Sequence, residues 1–353
     1  MLADIASIRQ RIASFGARPC HEDRILRLWC GGMPLETPGS RPGDQLPARL
    51  RASIPRLAGE LDAIASIRSA HAAEDGAERL LVDLADGQAI ETVLLPRAGV
   101  CVSTQVGCAV GCTFCMTGRG GLSRQLVAAE IVAQVALARR RRAVRKVVFM
   151  GMGEPAHNLE NVLEAIRLLG TLGGIGHKNL VFSTVGDARV FDALPREPVR
   201  PALALSLHST RAELRATLMP RAPRIPPDEL VARAQAYSRA TGYPIQYQWT
   251  LLDGVNDGPD EIDGIVRLLA GQYAVMNLIP YNTVPGLPFG RPAAERAAAI
   301  ARALHRRGVL AKLRRSAGQD VDAGCGQLCR RAMPIAVAAG AARPADGRFP
   351  ATA

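Results

Sequence analysis

The chain has 353 residues, 48% of them hydrophobic, enough to bury a large core as one α/β domain or as a domain with an appendage, so a folded enzyme is expected. No run of about eighteen apolar residues occurs, and the opening MLADIASIRQRIASFG carries charges where a secretory leader needs its apolar stretch; no membrane association is expected, and the chain reads as cytoplasmic. Lys and Arg total 44 against 32 Asp and Glu, and the net charge of +12 favours a polyanionic partner, although an arginine-rich genome gives the same balance.

Residues 1 to about 30 read as one or two short helices, and Gly31 to Leu50, dense in Gly and Pro, as a linker or surface arm. From Arg79 the short apolar runs RLLVDLA, ETVLLP and VCVST suit strands. Helix and strand patterns then alternate: VAAEIVAQVALARRRRA before KVVFM, NLENVLEAIRLLG before NLVFST, then ALALSL, DELVARAQAYSRA, IQYQWTL, EIDGIVRLLA, AVMNLI, AAERAAAIARALHRRG and VLAKLRR. Such alternation implies an α/β fold with a parallel sheet, as a barrel or partial barrel, with functional residues at the carboxyl ends of the strands.

Eight cysteines in a reducing compartment point to metal binding or catalysis rather than to disulfides. Cys108, Cys112 and Cys115 form C-x3-C-x2-C in a loop after a predicted strand. Soft thiolates select zinc or iron–sulfur clusters, and a structural zinc site usually takes four ligands. Three ligands on a [4Fe–4S] cube leave one iron open to a small molecule. A three-ligand zinc site and a chance group of buried thiols are the alternatives. Gly107 and Gly111 suit a loop wrapped closely around a metal centre.

GMGEPA, directly after KVVFM, also fits the G-x-G-x-x-A dinucleotide fingerprint, but Pro155 and the cysteines upstream argue against a nicotinamide enzyme. Two basic groups are candidates for neutralising phosphates: the run from Arg139 to Lys146, and Arg306, Arg307, Lys312, Arg314 and Arg315. The first also sits at a helix end, where cations suit the dipole. Only 4% of residues are aromatic, which leaves little for a base-stacking platform.

With Phe114 just before its third cysteine, the cluster motif resembles the radical S-adenosylmethionine (SAM) superfamily. Together with VVFMGMGEPAHNLENV, FSTVG, ALALSLHST, LLDGVNDG, NLIPYN and DVDAGCGQL, the segment from about Glu91 to Arg330 resembles the radical methyltransferases that act on an adenine of 23S ribosomal RNA. The resemblance implies a partial (β/α) barrel over residues 86–335, a small amino-terminal accessory segment over 1–85, and a disordered tail over 336–353. It implies a [4Fe–4S] cluster on Cys108, Cys112 and Cys115, with SAM contacted by Gly153, Glu154, Ser183, Ser206, Leu207, His208 and Asn282.

It further implies that Cys325 carries a methyl group from one SAM, that a radical made from a second takes hydrogen from it, and that the resulting carbon adds to adenine. Cys101 then forms a disulfide with Cys325 to release the product, and Glu91 takes the proton from the methylated carbon. The implied reaction is methylation of C2 in ribosomal RNA and also transfer RNA by a monomer fed by a donor such as flavodoxin or ferredoxin. Methylation of C8, or a non-RNA substrate, is the alternative. No role is implied for Cys20, Cys30 or Cys329.

Overall fold

The computed structural model describes residues 4–38 and 45–329; the tail expected over 336–353 lies outside the described residues. Three helices come first: α1 (Ile5–Ala13), α2 (Pro19–Cys30) and α3 (Ala48–Asp62). An antiparallel meander follows, made of β1 (Ala65–Ala72), β2 (Glu78–Leu84), β3 (Ala89–Leu95) and β4 (Gly99–Cys101). β5 (Gln105–Gly107) and β6 (Leu122–Gln125) form a separate ribbon around α4 (Met116–Arg119).

Strands and helices then alternate as expected: α5 (Ala128–Arg141), β7 (Lys146–Phe149), α6 (Leu159–Gly170), β8 (Leu180–Thr184), α7 (Ala188–Ala193), β9 (Ala202–Ser206) and α8 (Ala212–Leu218). They continue with α9 (Pro227–Thr241), β10 (Ile245–Leu251), α10 (Pro259–Leu269), β11 (Ala274–Pro280), α11 (Ala294–Arg306) and β12 (Ala311–Leu313). The main sheet runs β1-β2-β3-β4-β7-β8-β9-β10-β11-β12 and is parallel from β4 onward. This is the expected partial (β/α) barrel, open between β1 and β12 and extended on one side by the meander. Strands such as VVF of β7 and ALAL of β9 are apolar throughout because helices cover the sheet's outer face.

Register aligns side chains on one face. Ser206, Gln248, Asn277 and Lys312 lie side by side across β9, β10, β11 and β12. Cys101 pairs with Val148, and Gly99 with Lys146 two residues lower on the same face.

The amino-terminal segment shares the main core: Ile8, Ile12, Ile25, Leu26, Leu50 and Leu57 are buried in one cluster with the barrel strands and α5. Asp4 and Ser7 cap α1 reciprocally. Position 85/86 falls in the turn between β2 and β3, two strands of one sheet.

The arginines that open the first basic group are tied to other parts of the fold, although Arg140 and Arg141 stay exposed. Arg139 Nη1 donates to the carbonyls of Cys30 (2.9 Å) and Gly173 (2.8 Å), and Arg140 pairs with Asp62 at 2.7 Å. Arg141 pairs with Glu78, and Arg142 Nη1 donates to the Gly76 carbonyl at 2.8 Å. Four consecutive arginines thus clamp α5 onto the amino-terminal segment. Arg140 and Arg141 meet carboxylates, whereas Arg142 keeps Nε and Nη2 buried without a partner.

Candidate active site

The loop carrying Cys108, Cys112 and Cys115 leaves the ribbon strand β5 at Gly107, whose φ is +88°. A Cβ there would stand 2.0 Å from the Gly121 carbonyl oxygen, so only glycine admits the tight entry. The loop is pinned by backbone bonds from Cys108 N–H to Gly121 O (3.0 Å) and Thr113 N–H to Leu218 O (2.9 Å), and by Arg221 Nη1 donating to Ala109 O. The three thiols are half-buried. Burial above all pushes Cys108 up to about 12 and Cys112 well above the ordinary thiol range, with Glu154 and the neighbouring cysteines adding to it. Among the described residues no group of three or more His, Cys, Asp or Glu side chains is arranged to hold a metal ion. By donor chemistry, three soft sulfurs on one loop suit an iron–sulfur cluster.

The turn after β7 faces this loop. Gly153 has φ +104°, and a Cβ would meet the Gln105 side chain at 2.7 Å. Glu154 is buried; it accepts from Ala156 N–H (3.1 Å) and Val185 N–H (2.9 Å), tying the ends of β7 and β8 together. Burial raises its carboxyl to about 7, and these hydrogen bonds offset only part of the cost. Ser183 lies in the last turn of β8, and Ser206 closes β9. The Leu207 side chain is buried, its N–H donates to the Gln248 carbonyl and its carbonyl accepts from Ser209 N–H.

His208 has φ +59°, an uncommon conformation for a non-glycine residue. Its Nδ1 accepts from Thr250 N–H at 3.0 Å, and its ring meets Phe114 edge-on at 5.0 Å between centroids. Burial, helped by Arg215, lowers its pKa to about 3, so the imidazole is neutral with its proton on Nε2. Asn282 donates through Nδ2 to Ser316 Oγ (2.8 Å) and to the Cys325 carbonyl (3.0 Å), while its buried Oδ1 has no partner.

Cys325 and Cys101, 224 residues apart, are close enough for each Cys325 charge to raise the Cys101 pKa. Cys101 is buried at the end of β4, and desolvation raises it to about 12. Cys325 is exposed to solvent yet recessed within the barrel mouth; desolvation raises its thiol, while Ser316 and Arg314 lower it. Cys325 is therefore the more accessible sulfur of the two.

Glu91 sits in mid β3 and is fully buried, not at a strand opening. Arg79 Nη1 donates to it at 3.0 Å and the Cys329 N–H at 2.8 Å, while burial raises its pKa against both. Behind it, Ser103 Oγ donates to the Glu91 carbonyl and accepts from Met152 N–H, and Gln134 of α5 bonds both Ser103 and Thr92. That network locks β3 to the glycine turn after β7.

Sequence reasoning missed Arg215. It is buried on α8, donates to the carbonyls of Val185 and Ser206, leaves its Nε without a partner, and is perturbed by Cys112 and Glu154. Burial lowers its pKa to about 10, still cationic at neutral pH. One arginine in a seven-residue helix gives no signal in the sequence. Cys329 acts through its main chain, which no side-chain pattern could reveal.

Residues 102–269 match the radical SAM superfamily. A probable RNA methyltransferase from Leptothrix cholodnii is 69% identical over 92% of this chain and 93% of its own length. Another, from Methylibium petroleiphilum, is 70% identical over 93% of each. The crystal structure of a radical SAM methyltransferase from Sphaerobacter thermophilus superposes with a TM-score of 0.81 at 36% identity, covering 93% of this chain and 98% of that one. The fold, the three-cysteine loop and these likenesses make this chain a member of the radical SAM superfamily and of the methyltransferase family to which these relatives belong.

Proposed function

We propose that this radical SAM methyltransferase acts on RNA and methylates adenine at C2, in ribosomal RNA and also in transfer RNA, through a methylated cysteine. The observation that carries this reading is the meeting of Cys101, Cys325 and buried Glu91 beside the three-cysteine loop. The names of the relatives support RNA as the substrate. The donor set suits a [4Fe–4S] cluster on Cys108, Cys112 and Cys115. The unpartnered Asn282 Oδ1 and Arg215 Nε, with the close backbone at Gly153, suit SAM held by Gly153, Glu154, Ser183, Ser206, Leu207, His208 and Asn282.

With both groups bound, the chemistry supplied is reductive cleavage of SAM to a hydrogen-abstracting radical. The protein does the rest. Cys325 holds a methyl group as a thioether and bonds through that carbon to the base. Glu91, with its pKa raised by burial, accepts the proton from the base carbon. An external donor such as flavodoxin or ferredoxin would supply the electron for SAM cleavage. Once the adduct has returned one electron to that couple and its proton to Glu91, the Cys101 thiolate bonds to the Cys325 sulfur and breaks the carbon–sulfur bond; the released carbon takes up a proton to become the methyl group, and an external dithiol reduces the disulfide. Arg215 balances the negative charge of the thiolate loop. We place the enzyme in the cytoplasm as a monomer; among the described residues no helix is long and apolar enough to cross a membrane.

Mass spectrometry of ribosomal and transfer RNA from a deletion strain tests this directly. Loss of 2-methyladenosine is expected. Loss of 8-methyladenosine instead would move the site to C8, and unchanged RNA would end the RNA reading.

A further inference from the structure

A basic group at the open side of the barrel has no part in the chemistry above. Lys146 opens β7, on the same face as Cys101 and below it. Lys312 lies in β12, with Arg314 just beyond. Strands β8 to β11 separate β7 from β12, about 24 Å in a flat sheet at ~4.8 Å per strand. Register nevertheless puts Lys146, Ser183, Ser206, Gln248, Asn277 and Lys312 on one face of the sheet, with Arg314 two residues beyond Lys312. Burial, helped by the charges of Arg314 and Lys312, lowers the pKa of the Lys146 ammonium, as expected where that face curls in on itself.

Among the described residues none of the three has an ion-pair partner, unlike the clamp arginines Arg140 and Arg141. Arg314 Nη1 donates to Asn277 Oδ1 at 3.3 Å. That leaves the Asn277 amide Nδ2, on a residue 1% exposed, as a buried donor with no acceptor. An unpaired buried donor costs about 1–3 kcal/mol. Lys312 and Arg314 are exposed beside it, open to a ligand arriving from solvent. One oxyanion between them would satisfy all four groups. Arg314 lies two residues before Ser316, which Asn282 links to the Cys325 carbonyl, and its charge lowers the pKa of the Cys325 thiol.

We propose that Lys146, Lys312, Arg314 and the Asn277 amide form a phosphate subsite that holds the backbone phosphate of the nucleotide being methylated. The subsite rests on the RNA reading above and adds to it the residues that seat the target nucleotide. Cations on several strands hold one phosphate in place more firmly than a surface patch can, and so present its base to Cys325 and Glu91.

The test uses the cluster-loaded protein and the variants Lys146→Gln and Arg314→Gln, with Arg140→Gln as a control from the clamp. Probes are a fluorescent adenine-containing RNA stem-loop, adenosine 5′-monophosphate, and adenosine. Lys146→Gln and Arg314→Gln should each weaken RNA binding about 10-fold and lower the slope of log K against log salt by about 1, while Arg140→Gln changes neither. Both should lose the preference of the wild type for the monophosphate over adenosine. Thermal melting of each variant reports its folding independently. Unchanged salt slopes and an unchanged monophosphate preference in both variants would overturn the subsite. Wild-type protein that binds the monophosphate through Lys146 but binds no RNA would keep the phosphate site and end the RNA reading.

Discussion

The chain concentrates arginine and lysine in two places, and the structure uses them in opposite ways. From Arg139 to Arg142 the cations are matched to carbonyls and carboxylates of the amino-terminal segment. On the barrel's open side Lys146, Lys312 and Arg314 share one face of the sheet without ion-pair partners among the described residues. Arg215, Asn277 and Asn282 keep buried polar atoms without partners; in the clamp only Arg142, at Nε and Nη2, does so. Satisfied polar groups stabilise a fold, whereas orphaned ones mark where a ligand completes it. Density of charge in a sequence therefore says little about vacancy of charge in the fold.

Substitutions should separate the two regions cleanly. The largest effect belongs to the barrel mouth: Cys325→Ala should abolish methylation, and Cys101→Ala should also stall turnover but accumulate a crosslinked RNA–protein species, visible on denaturing gels. An absence of any adduct in Cys101→Ala would break the methyl-cysteine route. Glu154 comes next. Its carboxyl rises from 4.5 to about 7 on folding, so the folded chain holds its proton more tightly and loses stability as pH rises from about 4.5 to about 7. Urea unfolding of the ligand-free protein should show that loss, up to about 3 kcal/mol, and Glu154→Gln should flatten it.

The clamp should respond through stability alone. Arg139→Met, which leaves two carbonyls without their donor, should cost about 2 kcal/mol in urea unfolding while RNA affinity per folded molecule stays the same. Smallest is Arg140→Gln, an exposed pair with Asp62 whose loss should cost less than about 1 kcal/mol. Any clamp variant that changes the salt slope of RNA binding would erase the distinction between the regions.

The strands and helices that were legible share one property: β3 and β7 to β11 are bounded apolar runs, and α5, α9, α10 and α11 fill the spaces between them. The sequence hid α3 because Pro55 sits inside it and the Gly/Pro-rich stretch before it masks its start. It hid β1 because that edge strand leaves most of its side chains partly or fully exposed and has no apolar run. The residues of the site were readable where a motif carries them, as with Cys108, Cys112, Cys115 and the GMGEP turn. Residues acting through the fold were not. Arg215 reaches the thiols from a neighbouring helix, and Gln134 looks like any polar residue in α5 until its bonds to Ser103 and Thr92 are seen.

The last described turn of the chain is tied to Asn282, Thr283 and Arg291 nearby and also to residues from its first third. Gly318 N–H donates to Asp75, Asp320 accepts from Glu74 N–H, Thr117 donates to the Leu328 carbonyl, and Cys329 N–H donates to Glu91. Each bond closes a loop of more than 200 residues, so by contact order this turn docks late in folding. The three-cysteine loop is bonded mostly to nearer residues. On the reading proposed above, the cluster site would thus be complete before Cys325 is seated beside it, and the chain would be competent only once this turn docks.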